Sequence, residues 1–175
     1  MRLALMFLAA ASLAACNKAE VETGTTLPGG RTATAQLLTA AGVPAGRATA
    51  TEVAGGLRVT IDGRAMPAGT HGAHIHTVGR CDAPDFASAG PHWNPAATKH
   101  GSMNPQGLHQ GDLPNLLVGK DGRGTLGVTL AGATLAGLLD ADGGAMVVHA
   151  AADDLMTDPS GNSGGRVACG VLRRS

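Results

Sequence analysis

Turn signals cut this chain into pieces too short to be helices. Gly55-Gly56, Asp62-Gly63, Asp121-Gly122 and Asp142-Gly143 reach positive φ at little cost and so mark tight turns or loop breaks. Around these breaks lie eight short β-type segments, at 32–40, 47–53, 57–61, 71–78, 113–119, 124–130, 145–151 and 165–172. In "LRVTI", Leu57, Val59 and Ile61 alternate with Arg58 and Thr60, the pattern of a half-buried strand. The alanines of "TATAQLLTA" suit a helix, but threonine at alternate positions and glycines nearby favour a strand. An all-β sandwich or barrel follows.

The 175 residues suffice for one domain of ordinary size. Residues 1–15, "MRLALMFLAAASLAA", carry one cation, an apolar run and a small-residue end, the layout of a secretory signal rather than a membrane span. The "LAAC" that closes this run resembles the lipobox of bacterial lipoproteins, which makes Cys16 the lipidated first residue and tethers the protein to a membrane. Asn17 after it, in place of aspartate, favours the outer membrane of the bacterial envelope, with the protein facing the periplasm. Residues 16–30 are polar, bear Gly and Pro and lack a period, so they read as a lipidated cysteine with a flexible tether. The β-domain is expected over 31–175.

Removing residues 1–15 takes away only Arg2, so 13 basic residues become 12 against 13 acidic ones. A nearly neutral domain with no basic run in its sequence argues against nucleic acid as a partner. With Cys16 assigned to lipid, Cys81 and Cys169 remain, an even pair in an exported protein, which favours a disulfide; free thiols or soft metal ligands are the alternative.

Two long stretches, 79–112 and 152–164, interrupt the strands, and loops of that length in a small domain are usually functional or disordered. Beyond the signal, the only aromatic residues of the Phe, Trp and Tyr type are Phe86 and Trp93. The core must therefore be built from Ala, Val, Leu and Ile, and cross-links or bound metal should weigh more than usual.

Seven histidines, 71, 74, 76, 92, 100, 109 and 149, all fall in the β-domain. His74 and His76 are two apart, on one face of a strand, spaced to grip a single metal; His71 is an odd number of residues from His74 and so points to the opposite face. His92, His100, His109 and Asp112 make a plausible tetrahedral set for zinc, whereas an all-nitrogen strand set suits copper. Spacing alone does not divide the histidines between two ions.

The pieces "HGAHIH", "SAGPHWNP", "KHG", "LHQGDLPN", "VVHA" and "GNSGGRVACGV", in this order over nearly all of 31–172, resemble the copper/zinc superoxide dismutases. The resemblance implies an eight-stranded antiparallel Greek-key barrel or sandwich with two long functional loops, and an enzyme that converts superoxide to dioxygen and hydrogen peroxide. It implies copper ligands His74, His76, His92 and His149, and zinc ligands His92, His100, His109 and Asp112, with His92 shared. It makes Cys81–Cys169 the family disulfide, Arg166 the arginine that guides superoxide at the copper, and Asp153 the carboxylate joining a copper histidine to a zinc histidine. Asp154 beside it is the competing candidate, and His71 becomes a supporting non-ligand. A homodimer is compatible with the resemblance, which names no surface for it.

One departure stands out: "ADDLMTDPSGNS" (152–163) has no lysine, so the family's usual steering charges are absent there, with Lys99 the one substitute nearby. Two other readings compete. A non-catalytic copper-binding or metallochaperone lipoprotein would usually lack copper-site histidines or the arginine, both present here; a purely structural zinc lipoprotein would bind no redox-active copper.

Overall fold

The computed structural model describes residues 30–175, so the signal segment, Cys16 and the tether up to residue 29 lie outside the described residues. Three long strands open the fold: β1 (Thr32–Leu38), β2 (Pro44–Val53) and β3 (Gly56–Gly63) form a meander. Buried Ala33, Ala35 and Leu37 alternate with outward Thr32, Thr34 and Gln36, so the small apolar residues face the core, as period-two patterning requires.

The expected strand at 71–78 is two strands. β4 (Gly69–His71) pairs with β6 (Leu116–Val118), and β5 (Ala73–His76) pairs with β8 (Ala145–His149). The switch falls at Gly72, where a Cβ would lie 2.8 Å from Ser163 Cβ and where backbone bonds join the chain to His149 and Ala151. His71 therefore does not sit on the back of the strand that carries His74, contrary to the spacing argument. β7 (Gly124–Ala131), β9 (Arg166–Val171) and β10 (Arg173–Arg174) complete the strands, β10 pairing with β1.

The main sheet runs β5-β8-β9-β1-β2-β3-β7 and curls on itself, with β6 packed beside β7 and the β4–β6 pair closing the gap towards β5. The all-β expectation holds, but the eight expected segments become ten strands, because 71–78 divides at Gly72 and β10 is added. Two short helical turns were not anticipated: α1 (Leu135–Leu138), capped by Thr134 Oγ1 accepting from Gly137 N at 3.1 Å, and a 3-10 turn at Ala87–Ala89. Among the described residues no helix is long and apolar enough to cross a membrane.

Inside the curl lies a core built mainly of aliphatic residues and alanines, with Leu37, Leu57, Ile61, Ile75, Leu116 and Met146 among its fully buried members and Trp93 at its edge. A smaller cluster, Phe86, Ala89, Ala145, Val147 and Cys169, sits on the outer face of β8 under the long loop. The Cys81–Cys169 disulfide, with Cα atoms 5.7 Å apart, staples that loop to β9.

Candidate metal centre

β5 is an edge strand, and the long loop covers its free edge. Trp93 N donates to Ile75 O at 2.8 Å, and Ile75 N to Gly111 O at 2.9 Å, so short bridges set His76 beside His92 and His74 beside Asp112. Gly111 has to be glycine, since a Cβ there would overlap Ile75 O. On the other side, the β5–β8 ladder places His74 opposite Val147 and His76 opposite Ala145, so both rings stand on the outer face, away from Ile75 and Met146. On the far side of β8 the β8–β9 register shifts between Val148 and His149, which pairs with Arg166, and the His149 ring centroid lies 4.7 Å from that of His74.

Each ring has one nitrogen committed and one free. His74 Nε2 donates to Asp153 Oδ2 at 2.6 Å, His76 Nδ1 to Gly90 O at 2.7 Å and His149 Nδ1 to Gly164 O at 3.1 Å. The remaining nitrogens, His74 Nδ1, His76 Nε2 and His149 Nε2, are buried without a partner, and His92 Nε2 joins them. Four orphaned imidazole nitrogens, with the other nitrogen of three of these rings fixing its tautomer, constitute a donor set that a metal completes. Burial pushes His74 down to about 4 and His149 to about 3, and lowers His76 as well, so all three rings are neutral ligands at neutral pH.

The opposite edge of the His92 ring faces a second group. His92 Nδ1 lies 2.9 Å, His100 Nδ1 3.1 Å and His109 Nδ1 3.3 Å from a single oxygen, Asp112 Oδ1. The other carboxylate oxygen, Oδ2, accepts from the backbone N–H of Gly101 at 2.9 Å and of His109 at 3.0 Å. Burial alone would raise the Asp112 carboxyl; the hydrogen bonds from His92 and the Gly101 N–H, with the neighbouring rings, hold it below the usual carboxylate range. Three imidazoles and one oxygen suit a tetrahedral ion. His74 lies near enough to His92, His100 and Asp112 to be grouped with them. Its Nε2 is spent on Asp153 and its Nδ1 is free, so it belongs with the all-nitrogen set and His109 takes the fourth place.

Asp153 spans the two groups. Its Oδ2 binds His74 and its Oδ1 accepts from His100 Nε2 at 3.0 Å. Asp154, the competing candidate, is exposed and caps its loop, accepting from Met156 N and Thr157 N. His71 stands on β4 with its ring between His149 O, 2.8 Å away, and Pro67 O, 2.9 Å away. Arg166 donates to Phe86 O at 2.6 Å and to Gly90 O at 2.8 Å, so the carbonyl that orients His76 also anchors the arginine. Lys99 is paired with Asp158 at 3.2 Å.

Sequence reasoning missed three residues that hold the centre. Asn115 clamps the backbone of Asp153 from both sides, donating to its carbonyl at 2.9 Å and accepting from its N–H at 2.8 Å. Asp158 accepts from His100 N at 2.8 Å. Gly161, at φ 63°, leaves room that a Cβ would take from Asp153 Oδ1. The only sequence signals were the positions of Asn115 in "LHQGDLPN" and Gly161 in "GNSGG", neither of which states a role.

Comparison with known proteins follows the same lines. Residues 44–172 match the copper/zinc superoxide dismutase family. A Caulobacter vibrioides protein named superoxide dismutase [Cu-Zn] is 43% identical over 148 residues, covering 81% of this chain and 85% of that one. The crystal structure of a superoxide dismutase-like protein from Bacillus subtilis superposes with a TM-score of 0.75 at 39% identity, covering 80% of this chain and 97% of its own. The Cu/Zn superoxide dismutase from Brucella abortus does so with a TM-score of 0.67 at 28% identity, covering 81% and 99%. The protein thus belongs to the copper/zinc superoxide dismutase family.

Proposed function

We propose that the protein dismutates superoxide, 2 O2•− + 2 H+ → O2 + H2O2, in the bacterial cell envelope. The observation that carries the reading is the pair of buried donor sets joined through one ring, His92, whose two nitrogens face different groups. His74, His76, His92 and His149 would hold copper; His92, His100, His109 and Asp112 would hold zinc. Copper supplies one-electron chemistry in both directions, while zinc is redox-silent and holds the loop.

The chain's own residues do the rest. Arg166, its guanidinium fixed by two carbonyls, presents a permanent positive charge that attracts and orients an anionic diatomic substrate beside the all-nitrogen set. His92 Nε2, buried and with no other hydrogen-bond partner, would be the atom placed to pass a proton to the reduced substrate. Asp153 and Asn115 keep the His74 and His100 rings from turning as the charge changes.

Residues 1–15 would be removed and Cys16 lipidated, with the tether placing the domain on the periplasmic side of the outer membrane; the apolar run closing in "LAAC" and Asn17 support this. A Cys16→Ala variant should then leave the membrane fraction.

Pulse radiolysis of the copper- and zinc-loaded protein tests the activity. A copper-dependent rate that falls by at least about tenfold in Arg166→Ala, with copper retained, is the expected outcome. Full copper occupancy with a rate no better than free copper would instead favour a copper-holding role.

A further inference from the structure

The sequence has no basic run, yet folding makes a basic wall. Segments 30–71, 113–131 and 172–175 build β1–β4, β6, β7 and β10, and carry eight basic and three acidic residues, a net charge of five positive. The remainder of the described chain, which carries the metal centre, holds three basic and eight acidic residues, a net of five negative before any ion binds. A nearly neutral domain is thus strongly polarised.

The register concentrates the positive charge on one surface. Gln36, Arg47, Asp62 and Thr125 stand in one row across β1, β2, β3 and β7, and Thr51, Arg58 and Thr129 in another. Arg58 lies over Gly127, which has no side chain to hold it away. Asp62 is bound by Arg64 at 2.7 Å and also feels Arg123, so the row's one carboxylate is already neutralised. Arg47, Arg58, Arg123 and Arg173 have no ion pair among the described residues. Threonine hydroxyls fill the positions between.

Around the curled sheet, β2 and β3 are four or more strands from β5. The arginine wall therefore faces away from the metal centre. β1 belongs to this wall and starts at Thr32, so the described chain begins at its cationic side.

We propose that this wall docks electrostatically on a bilayer bearing anionic phospholipid headgroups, holding the metal centre towards the aqueous side. Guanidinium groups pair phosphate oxygens bidentately and hydroxyls add donors, as a headgroup layer requires. The wall carries no aromatic residue to stack on bases, since Phe86 and Trp93 are buried in or under the long loop, which disfavours single-stranded nucleic acid. The choice of a bilayer over other polyanions rests on the proposed lipid anchor at Cys16; the wall itself does not.

The test uses residues 16–175 with Cys16→Ser, so that neither the apolar run nor an acyl chain contributes, and copper and zinc bound. Co-sedimentation is measured with vesicles of phosphatidylglycerol and phosphatidylethanolamine, with phosphatidylcholine alone as reference and dextran sulfate as a soluble polyanion. Binding to the anionic vesicles should fall roughly fivefold for each arginine neutralised in Arg47→Gln and Arg58→Gln, and stay unchanged in Arg80→Gln on the metal side. It should vanish as salt is raised from ~0.1 M to ~1 M, where the screening length shrinks from about 10 Å to about 3 Å. Equal sedimentation with both vesicle types, insensitivity to the arginine changes, or capture by dextran sulfate with none by vesicles would each overturn the proposal. Because the Cys16→Ser protein carries no anchor, a failed vesicle experiment leaves the Cys16 reading to its own test, the membrane fraction of Cys16→Ala.

Discussion

Of the described glycines, Gly161 leaves the least room for a side chain. Its φ of 63° is one that side-chain-bearing residues rarely adopt, and a Cβ would overlap Asp153 Oδ1 and stand 2.6 Å from His100 Nε2. A Gly161→Ala protein should fold with Asp153 displaced from both rings and should lose zinc affinity by about 10- to 100-fold, the usual cost of removing a carboxylate behind a metal histidine; competition with a chromogenic chelator reads this directly. Asn115→Ala should act the same way by a smaller amount, since it frees the backbone of Asp153 while leaving its carboxylate. Acid acts on the same groups. In the metal-free protein His74 and His149 titrate near 4 and 3 rather than 6.5, so their neutral forms are favoured by folding. The stability that follows is fully present above about 6.5 and is lost as pH falls through that window. Asp112 and Asp153, also held low, lose their contributions in the same direction at lower pH still. Melting temperature of the metal-free protein should therefore decline steadily from pH 6.5 to pH 4, and a flat profile would contradict this burial. The histidines and Asp112 were visible in the sequence because metal chemistry restricts residue type. Gly161 was not, because what a glycine does is set by the atoms around it.

β5 draws its precision from two neighbours that are remote in sequence, β8 on one edge and the loop carrying His92 and Asp112 on the other. The disulfide fixes the first part of that loop to β9, and Phe86 and Gly90, whose carbonyls hold Arg166, lie just beyond Cys81. Joining residues 88 apart makes the bridge worth roughly 4–5 kcal/mol by chain entropy. A Cys81→Ala/Cys169→Ala protein should lose about that much in urea unfolding. Its dismutation rate should fall more than its copper content, because the arginine's anchors loosen while the strand histidines stay in place. At this scale the turn pairs and alternating segments sufficed to read eight strands. They did not reveal the division at Gly72, since a residue that lets two strands part for different sheets looks in sequence like any glycine within a strand. α1 escaped for a related reason: "TLAGLL" shows one capping threonine and too few residues for a helical period.

For the molecule as a whole, charge is sorted by the fold, and this bears on how fast an anion arrives. The metal-bearing part of the chain is net negative by five before metals bind, and two divalent ions bring it close to neutrality. Lys99, the candidate for a steering charge, is held by Asp158 at 3.2 Å, so the pair presents almost no field beyond the screening length. The arginines of the far wall are too distant to draw superoxide to the opposite face. On the proposed mechanism the charge left to act on the substrate, among the described residues, is that of Arg166, half-buried beside the centre, and it would act at contact range. The bimolecular rate of the loaded enzyme should thus change less than about twofold between low and physiological ionic strength. Lys99→Gln should leave it within the same margin, whereas Arg166→Ala lowers it at every salt concentration. A steep fall of the wild-type rate with salt would show instead that long-range fields survive the Lys99–Asp158 pairing and guide the substrate after all.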